Sequence, residues 1–96
     1  MRPSLALEQN RQFIRDAVAR RRTANPRLFG SVLHGTDHDG SDIDILVDAL
    51  PGATLFDLGG LQEELKEKLG VPVQVVTPEE LHRFFKDKVL SEAKPI

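Results

Sequence analysis

The 96-residue chain contains no cysteine, which excludes disulfide bonds and thiolate metal sites. It also lacks any apolar run close to the roughly 20 residues that a membrane-spanning helix requires. The first residues do not resemble a secretory signal, because Arg2 and Pro3 precede no apolar segment and Glu8 comes early. We therefore expect one small cytoplasmic domain over residues 1–96, without a membrane partner.

Charge is unevenly distributed along the chain, although the net charge is only −2. The first 27 residues hold seven arginines and two acidic residues, whereas the remainder holds six basic and 13 acidic residues. A basic segment beside an acidic body favours a phosphate-bearing ligand, nucleic acid or an acidic partner, but residues 20–22 could equally form a solvated helix face. Because no aromatic residues alternate with these arginines and no nucleic-acid motif is present, we expect no direct nucleic-acid binding.

The apolar pattern predicts a mixed α/β domain whose elements follow the order helix, strand, turn, strand, helix, strand, helix. The first helix is expected from Ser4, as its cap, to about Arg22, and the Asn25-Pro26 pair ends it. A short strand over residues 27–29 follows. Acidic and aliphatic residues alternate over 42–47, which predicts a strand with its aliphatic side chains in the core and its carboxylates on the other face.

The second half of the chain carries clear helix signals. Thr54 and Asp57 form the pattern of a capping box, and Gly70 is placed to end the helix that they open. A strand is predicted over residues 71–76, followed by a helix that Thr77 caps. We expect that last helix to be buried through four apolar residues: Leu81, Phe84, Phe85 and Val89.

The stretch most informative about function is GSVLHGTDHDGSDIDILVD, residues 30–48. Gly30 permits a sharp turn and leaves space for a ligand, and Ser31 follows at an expected helix start, where free N–H groups favour phosphate. Asp42 and Asp44 lie two apart on a strand, so both carboxylates face one way and could share a magnesium ion. Such an ion can bridge triphosphate oxygens and align an attacking hydroxyl.

With ten residues between Ser31 and Asp42, the combination resembles the signature of the polymerase-β-like nucleotidyltransferase superfamily. The segments RLFGS (27–31), SDIDILV (41–47) and VQVVTP (73–78) stand in the family's order, and the resemblance extends over nearly the whole chain. It implies the polymerase-β-like nucleotidyltransferase fold, with a small mixed sheet of three or slightly more strands flanked by helices. At this length the chain is similar to the minimal nucleotidyltransferases, which are often antitoxins paired with a helical HEPN-type RNase toxin.

The resemblance also implies roles for individual residues. Gly30, Ser31 and Ser41 are expected to bind the nucleotide, and Asp42 and Asp44 to bind Mg²⁺ and act in catalysis with ATP as the substrate. Family members usually have a third carboxylate where this chain has Gln74, and glutamine is neutral and lacks useful basicity. Relatives often have arginine between Ser31 and Gly35, where His34 is the available cationic residue.

Two functional classes remain open. In the first, which the intact Asp42/Asp44 pair favours, the protein is an enzyme that transfers AMP from ATP to a hydroxyl of a HEPN-type toxin. In the second, it is a catalytically impaired nucleotide-binding or protein-binding antitoxin that neutralises its partner by contact, which Gln74 favours. A calcium loop beginning at Asp37 is excluded, because Asp42 occupies the position that needs glycine. A zinc site at His34 and His38 is disfavoured, because Gly35 and Gly40 indicate a loop.

Overall fold

The computed structural model describes residues 1–96. Its helices are α1 (Pro3–Gln9), α2 (Arg11–Arg20), α3 (Gly30–His34), α4 (Leu55–Leu69) and α5 (Arg83–Glu92). Its strands are β1 (Thr23–Phe29), β2 (Ile43–Ala49), β3 (Val73–Val76) and β4 (Lys94–Pro95). None of the helices combines the length and the apolarity needed to cross a bilayer.

The strands form one mixed sheet in the order β3-β2-β1-β4. Strand β2 pairs with β1 in antiparallel and with β3 in parallel orientation, and β4 adds a short antiparallel edge to β1. The mixed α/β architecture predicted from the sequence is therefore confirmed, and β4 makes the sheet four-stranded. The two-residue β4 escapes prediction because so short a segment has no alternation to detect.

The hydrophobic core lies between one face of the sheet and the helices α1, α2 and α4. The predicted inward residues of β2 are completely buried, as are Leu61 and Leu65 of α4. Thr54 and Asp57 form the expected capping box, and Gly70 ends α4 with a positive φ of 71°. The main core residues of the sheet are Leu28, Ile43, Ile45, Val47, Val73 and Val75.

The predicted first helix is two helices, and Ser4 does not cap either. Asn10 has φ −130° and ψ 18°, outside the helical range, and its side-chain amide donates to the Ala6 carbonyl at 2.8 Å. This bond satisfies a carbonyl at the end of α1 and closes the helix there. Helix α1 begins at Pro3, and the Ser4 N–H donates to the Asp37 carboxylate at 3.0 Å.

Strand β1 starts earlier than predicted and includes the Asn25-Pro26 pair. Its register against β2 shifts between Ala24 and Arg27, and Asn25 adopts a left-handed φ of 57°. Such an irregularity allows proline within a strand, because the missing N–H falls outside the regular ladder.

The prediction for the last helix was wrong in two respects. The Thr77–Glu80 capping box opens only a short 3₁₀ turn (Pro78–Glu80), and two residues separate the end of this turn from the start of α5 at Arg83. No residue of α5 is buried: Phe84 is 74% exposed and Phe85 62% exposed, and Val89 is only half-buried. Leu81, which was expected to lie in the core, is also half-buried and precedes the helix.

Candidate active site

Gly30 and Asp44 are packed against each other where β1 meets α3. Gly30 follows Phe29, which pairs with Asp44 across the β1–β2 ladder, and it has a left-handed φ of 77°. A Cβ atom at residue 30 would collide with the Asp44 carboxylate, and would lie only 3.1 Å from its Cγ atom. Glycine is therefore needed here both for the backbone and for the space that the carboxylate occupies.

We predict that Gly30→Ala weakens binding of ATP with magnesium at least about tenfold, a cost of about 1.4 kcal/mol, because the new methyl group displaces the Asp44 carboxylate. The matched control is Gly35→Ala, since Gly35 also has a positive φ, 71°, but has open space around it. Both variants carry the backbone strain, and only Gly30→Ala moves the carboxylate. Calorimetric titration with ATP and magnesium measures the difference, and equal affinities would contradict the prediction.

Asp42 and Asp44 form a pair of carboxylates that no cation of the chain neutralises. Asp42 is exposed just before β2, and Asp44 lies half-buried on the strand. Burial raises the pKa of Asp44 to about 6, and the negative charge of Asp42 contributes to the same shift. Neither carboxylate takes part in an ion pair. Two oxygen ligands with unbalanced negative charge suit a hard divalent cation, which is commonly held by one or two carboxylates together with substrate phosphates.

Gln74 lies beside this pair. The parallel ladder between β2 and β3 places Gln74 opposite Asp44, while its neighbours Val73 and Val75 are buried in the core. Gln74 is exposed on the same face of the sheet as Asp44. The structure thus brings Gly30, Asp44 and Gln74 together, from three separate parts of the chain.

Three other predicted residues, Ser31, Ser41 and His34, lie around the Gly30–Asp44 contact and are not part of it. Ser31 lies in the first turn of α3 next to Gly30. The Ser41 hydroxyl accepts the His38 N–H at 3.0 Å, which closes a tight turn immediately before Asp42. His34 ends α3 and its Nε2 atom lies 3.0 Å from the Glu92 carboxylate, so its ring contacts α5.

Asp48 and Asp37 have structural partners. Asp48, on the same face of β2 as Asp44, receives two hydrogen bonds from the Arg27 guanidinium at 3.0 and 3.3 Å. Asp37 accepts the Ser4 N–H, and this bond lowers its pKa, although burial opposes the shift. The carboxylate therefore stabilises the fold above its unfolded pKa, and this contribution is lost as the pH falls through the lower folded value. Sequence reasoning missed Asp37 because Ser4 lies 33 residues away along the chain.

Comparisons with known proteins agree with this geometry. The model of the family described as "Nucleotidyltransferase domain" matches residues 11–96. "Putative protein adenylyltransferase MJ0435" of Methanocaldococcus jannaschii is 44% identical over 66 residues, which are 69% of this chain and 71% of that protein. "Putative protein adenylyltransferase MJ1217" of the same organism is 32% identical over 65 residues, 68% of this chain and 66% of that protein.

Solved structures show the same fold. The "putative minimal nucleotidyltransferase" has a TM-score of 0.86 and 34% identity, and the match covers 97% of this chain and 95% of that chain. A toxin–antitoxin crystallised with AMP-PNP has a TM-score of 0.75 and 26% identity, over 90% of this chain and 71% of the other. The expected minimal nucleotidyltransferase fold is therefore confirmed.

Proposed function

The chain belongs to the nucleotidyltransferase domain family, and from that premise we propose that it binds ATP with magnesium and transfers AMP to a hydroxyl of a cognate HEPN-type toxin. The observation that carries the proposal is the Asp42/Asp44 pair, which has unbalanced charge and lies beside the Gly30 turn. The similarity to two proteins named as adenylyltransferases favours AMP as the transferred group and protein as the acceptor. The similarity to a toxin–antitoxin crystallised with AMP-PNP favours a toxin as that protein.

In the proposed reaction the acceptor hydroxyl oxygen attacks the α-phosphorus of ATP, and pyrophosphate leaves as the P–O bond breaks. When bound, magnesium supplies charge neutralisation on the triphosphate and the leaving pyrophosphate. Asp42 and Asp44 would hold the cation, and Gly30 and Ser31 lie where the backbone can approach phosphate oxygens. Gln74 can position the acceptor by hydrogen bonding but cannot take its proton, so that proton passes to water or to a group on the partner.

The second candidate is an antitoxin that binds nucleotide or toxin without catalysis. It is favoured by one specific observation, the neutral Gln74 opposite Asp44. The first candidate and the nucleotide-binding form of the second share the nucleotide-binding step, and only the first candidate requires transfer of AMP.

Thermal melts test the shared step. ATP and magnesium together at 100 times the dissociation constant should stabilise the fold by roughly 2.7 kcal/mol, whereas either alone should have little effect, because the two carboxylates repel a bare triphosphate. The control is the double variant Asp42→Asn/Asp44→Asn. An equal shift in the double variant would reject the metal site, and parallel melts with GTP, CTP and UTP show which base is preferred.

A further inference from the structure

Helix α5 presents aromatic side chains to solvent instead of to the core. Phe84 and Phe85 are 74% and 62% exposed and adjacent in sequence, whereas Leu90, which is 40% exposed, lies on another face of the helix. The His82 ring lies against both phenylalanines, with ring centroids 4.9 and 5.9 Å apart. An exposed cluster of large apolar side chains on one helix is typical of a surface that binds another protein.

The positive charges around this cluster are unpaired. Arg83 stacks over the Phe84 ring at 5.1 Å, and Arg83, Lys86 and Lys88 of α5 take part in no ion pair. Asp87 is also exposed and unpaired, so the free charge of this helix is net positive. The arginines of residues 1–27 differ, because every one of them has an acceptor within the chain. Arg20 and Arg21 bind Glu64, Arg11 binds Glu8, and Arg22 binds the Gly52 carbonyl.

We propose that α5 is the docking surface for the acceptor protein, and that this protein presents an apolar helix face edged by aspartate and glutamate. The free cations of α5 are complementary to such an edge, and Phe84 and Phe85 fill the apolar centre. The inference rests on the proposed function only for the identity of the partner. The arginines of residues 1–27, which could bind an acidic partner on the evidence of the sequence, are not part of this surface, because those side chains already have acceptors within the chain.

The position of α5 relative to the site supports this partner. Its last residue, Glu92, binds His34 of α3, and α3 begins at Gly30 beside Asp44. Phe84 lies eight residues before Glu92, about 12 Å along the helix axis. An ordinary interface covers about 800 Å² on each partner, a patch about 30 Å across. One protein of ordinary size can therefore contact α5 and reach Asp44 with an acceptor side chain.

The test measures binding of the purified toxin subunit, inactivated as an RNase, to the wild-type chain and to three variants. Phe84→Ala/Phe85→Ala should raise the dissociation constant at least about 30-fold, as expected for the loss of two central aromatic contacts. The matched control is Leu55→Ala/Phe56→Ala, a second exposed apolar pair, 83% and 89% exposed, on α4. That pair follows the end of β2 that is far from Asp44. Its replacement should change the dissociation constant less than about threefold. Charge reversal by Arg83→Glu/Lys88→Glu should weaken binding and reduce its dependence on salt.

Labelling of the toxin by radioactive ATP in the same samples separates the two proposals. Binding that follows these expectations without labelling would reject AMP transfer and support docking. Labelling by wild type that is unchanged in Phe84→Ala/Phe85→Ala, with unchanged binding, would overturn docking alone. Absence of any complex with wild type would overturn docking, while the melts with ATP still test nucleotide binding. All variants should melt like wild type, since the replaced side chains are exposed.

Two further measurements test whether α5 instead binds a second copy of the chain or a membrane. Light scattering of the chain alone would show a dimer if a second copy covered the phenylalanines, and sedimentation with phosphatidylserine vesicles would show membrane binding. Either kind of binding, if lost in Phe84→Ala/Phe85→Ala, would overturn the proposal.

Discussion

Asp44→Asn is expected to lower the rate of AMP transfer to the toxin by about 10³-fold or more, while the protein stays folded. Asparagine keeps the size of the side chain but removes the negative charge that holds the cation. Charge neutralisation by a bound metal lowers a barrier by several kcal/mol, and each 1.36 kcal/mol is tenfold in rate. The measurement is transfer of label from radioactive ATP to purified toxin under single-turnover conditions.

The matched control is Asp48→Asn, four residues along the same strand and on the same face. Asp48 binds Arg27 rather than facing the Gly30 turn, so its loss should reduce stability and leave transfer within a few-fold of wild type. Asp44→Asn should instead lower the rate of transfer without reducing stability. The pKa of Asp44 is raised to about 6 in the folded protein. Ionisation of this carboxyl therefore destabilises the folded state as the pH rises from about 4 to above 6. Without magnesium the variant should therefore melt no lower than wild type at pH 8, and transfer equal to wild type would exclude Asp44 from catalysis.

The elements that carry the site are those with strong local signals in the sequence. The alternation over residues 42–47 predicts which side chains of β2 enter the core, and this is confirmed by Ile43, Ile45 and Val47. The capping box of α4 is likewise a local pattern, made by two residues three positions apart, Thr54 and Asp57, and Gly70 then ends the helix. These features follow from neighbours in sequence, so no knowledge of the tertiary structure was needed.

The features that the sequence did not predict depend on distant residues. The pairing of Asp37 with Ser4 joins positions 33 residues apart, and β4 exists only because Lys94 meets Leu28. Phe84 and Phe85 follow the apolar pattern of a core helix, but the sheet and the other helices already fill the core without them. An exposed aromatic pair cannot be distinguished from a buried one by periodicity alone.

Replacement of Gln74 by aspartate should also change the rate of AMP transfer strongly, but it should raise the rate, whereas Asp44→Asn lowers it. We expect Gln74→Asp to accelerate AMP transfer by about 10²- to 10⁴-fold, the usual contribution of a general base. The pairing of Gln74 with Asp44 places the new carboxylate beside the cation site, where an acceptor hydroxyl must approach. Because residue 74 is exposed, the substitution should leave the stability of the fold within about 0.5 kcal/mol.

Gln74→Asn is the control for this experiment, since asparagine has the length of aspartate but neither its charge nor its basicity. A slow enzyme gives weak labelling with wild type, strong labelling with Gln74→Asp, and no gain with Gln74→Asn. A non-catalytic antitoxin gives no labelling in any form and still suppresses the toxin, because suppression then depends on contact alone. Strong labelling by wild type that falls in Gln74→Asp would contradict the prediction in another way. It would show that proton transfer to the partner or to water does not limit the rate, so that a carboxylate at residue 74 adds nothing and the loss of the glutamine amide, which positions the acceptor hydroxyl, slows transfer.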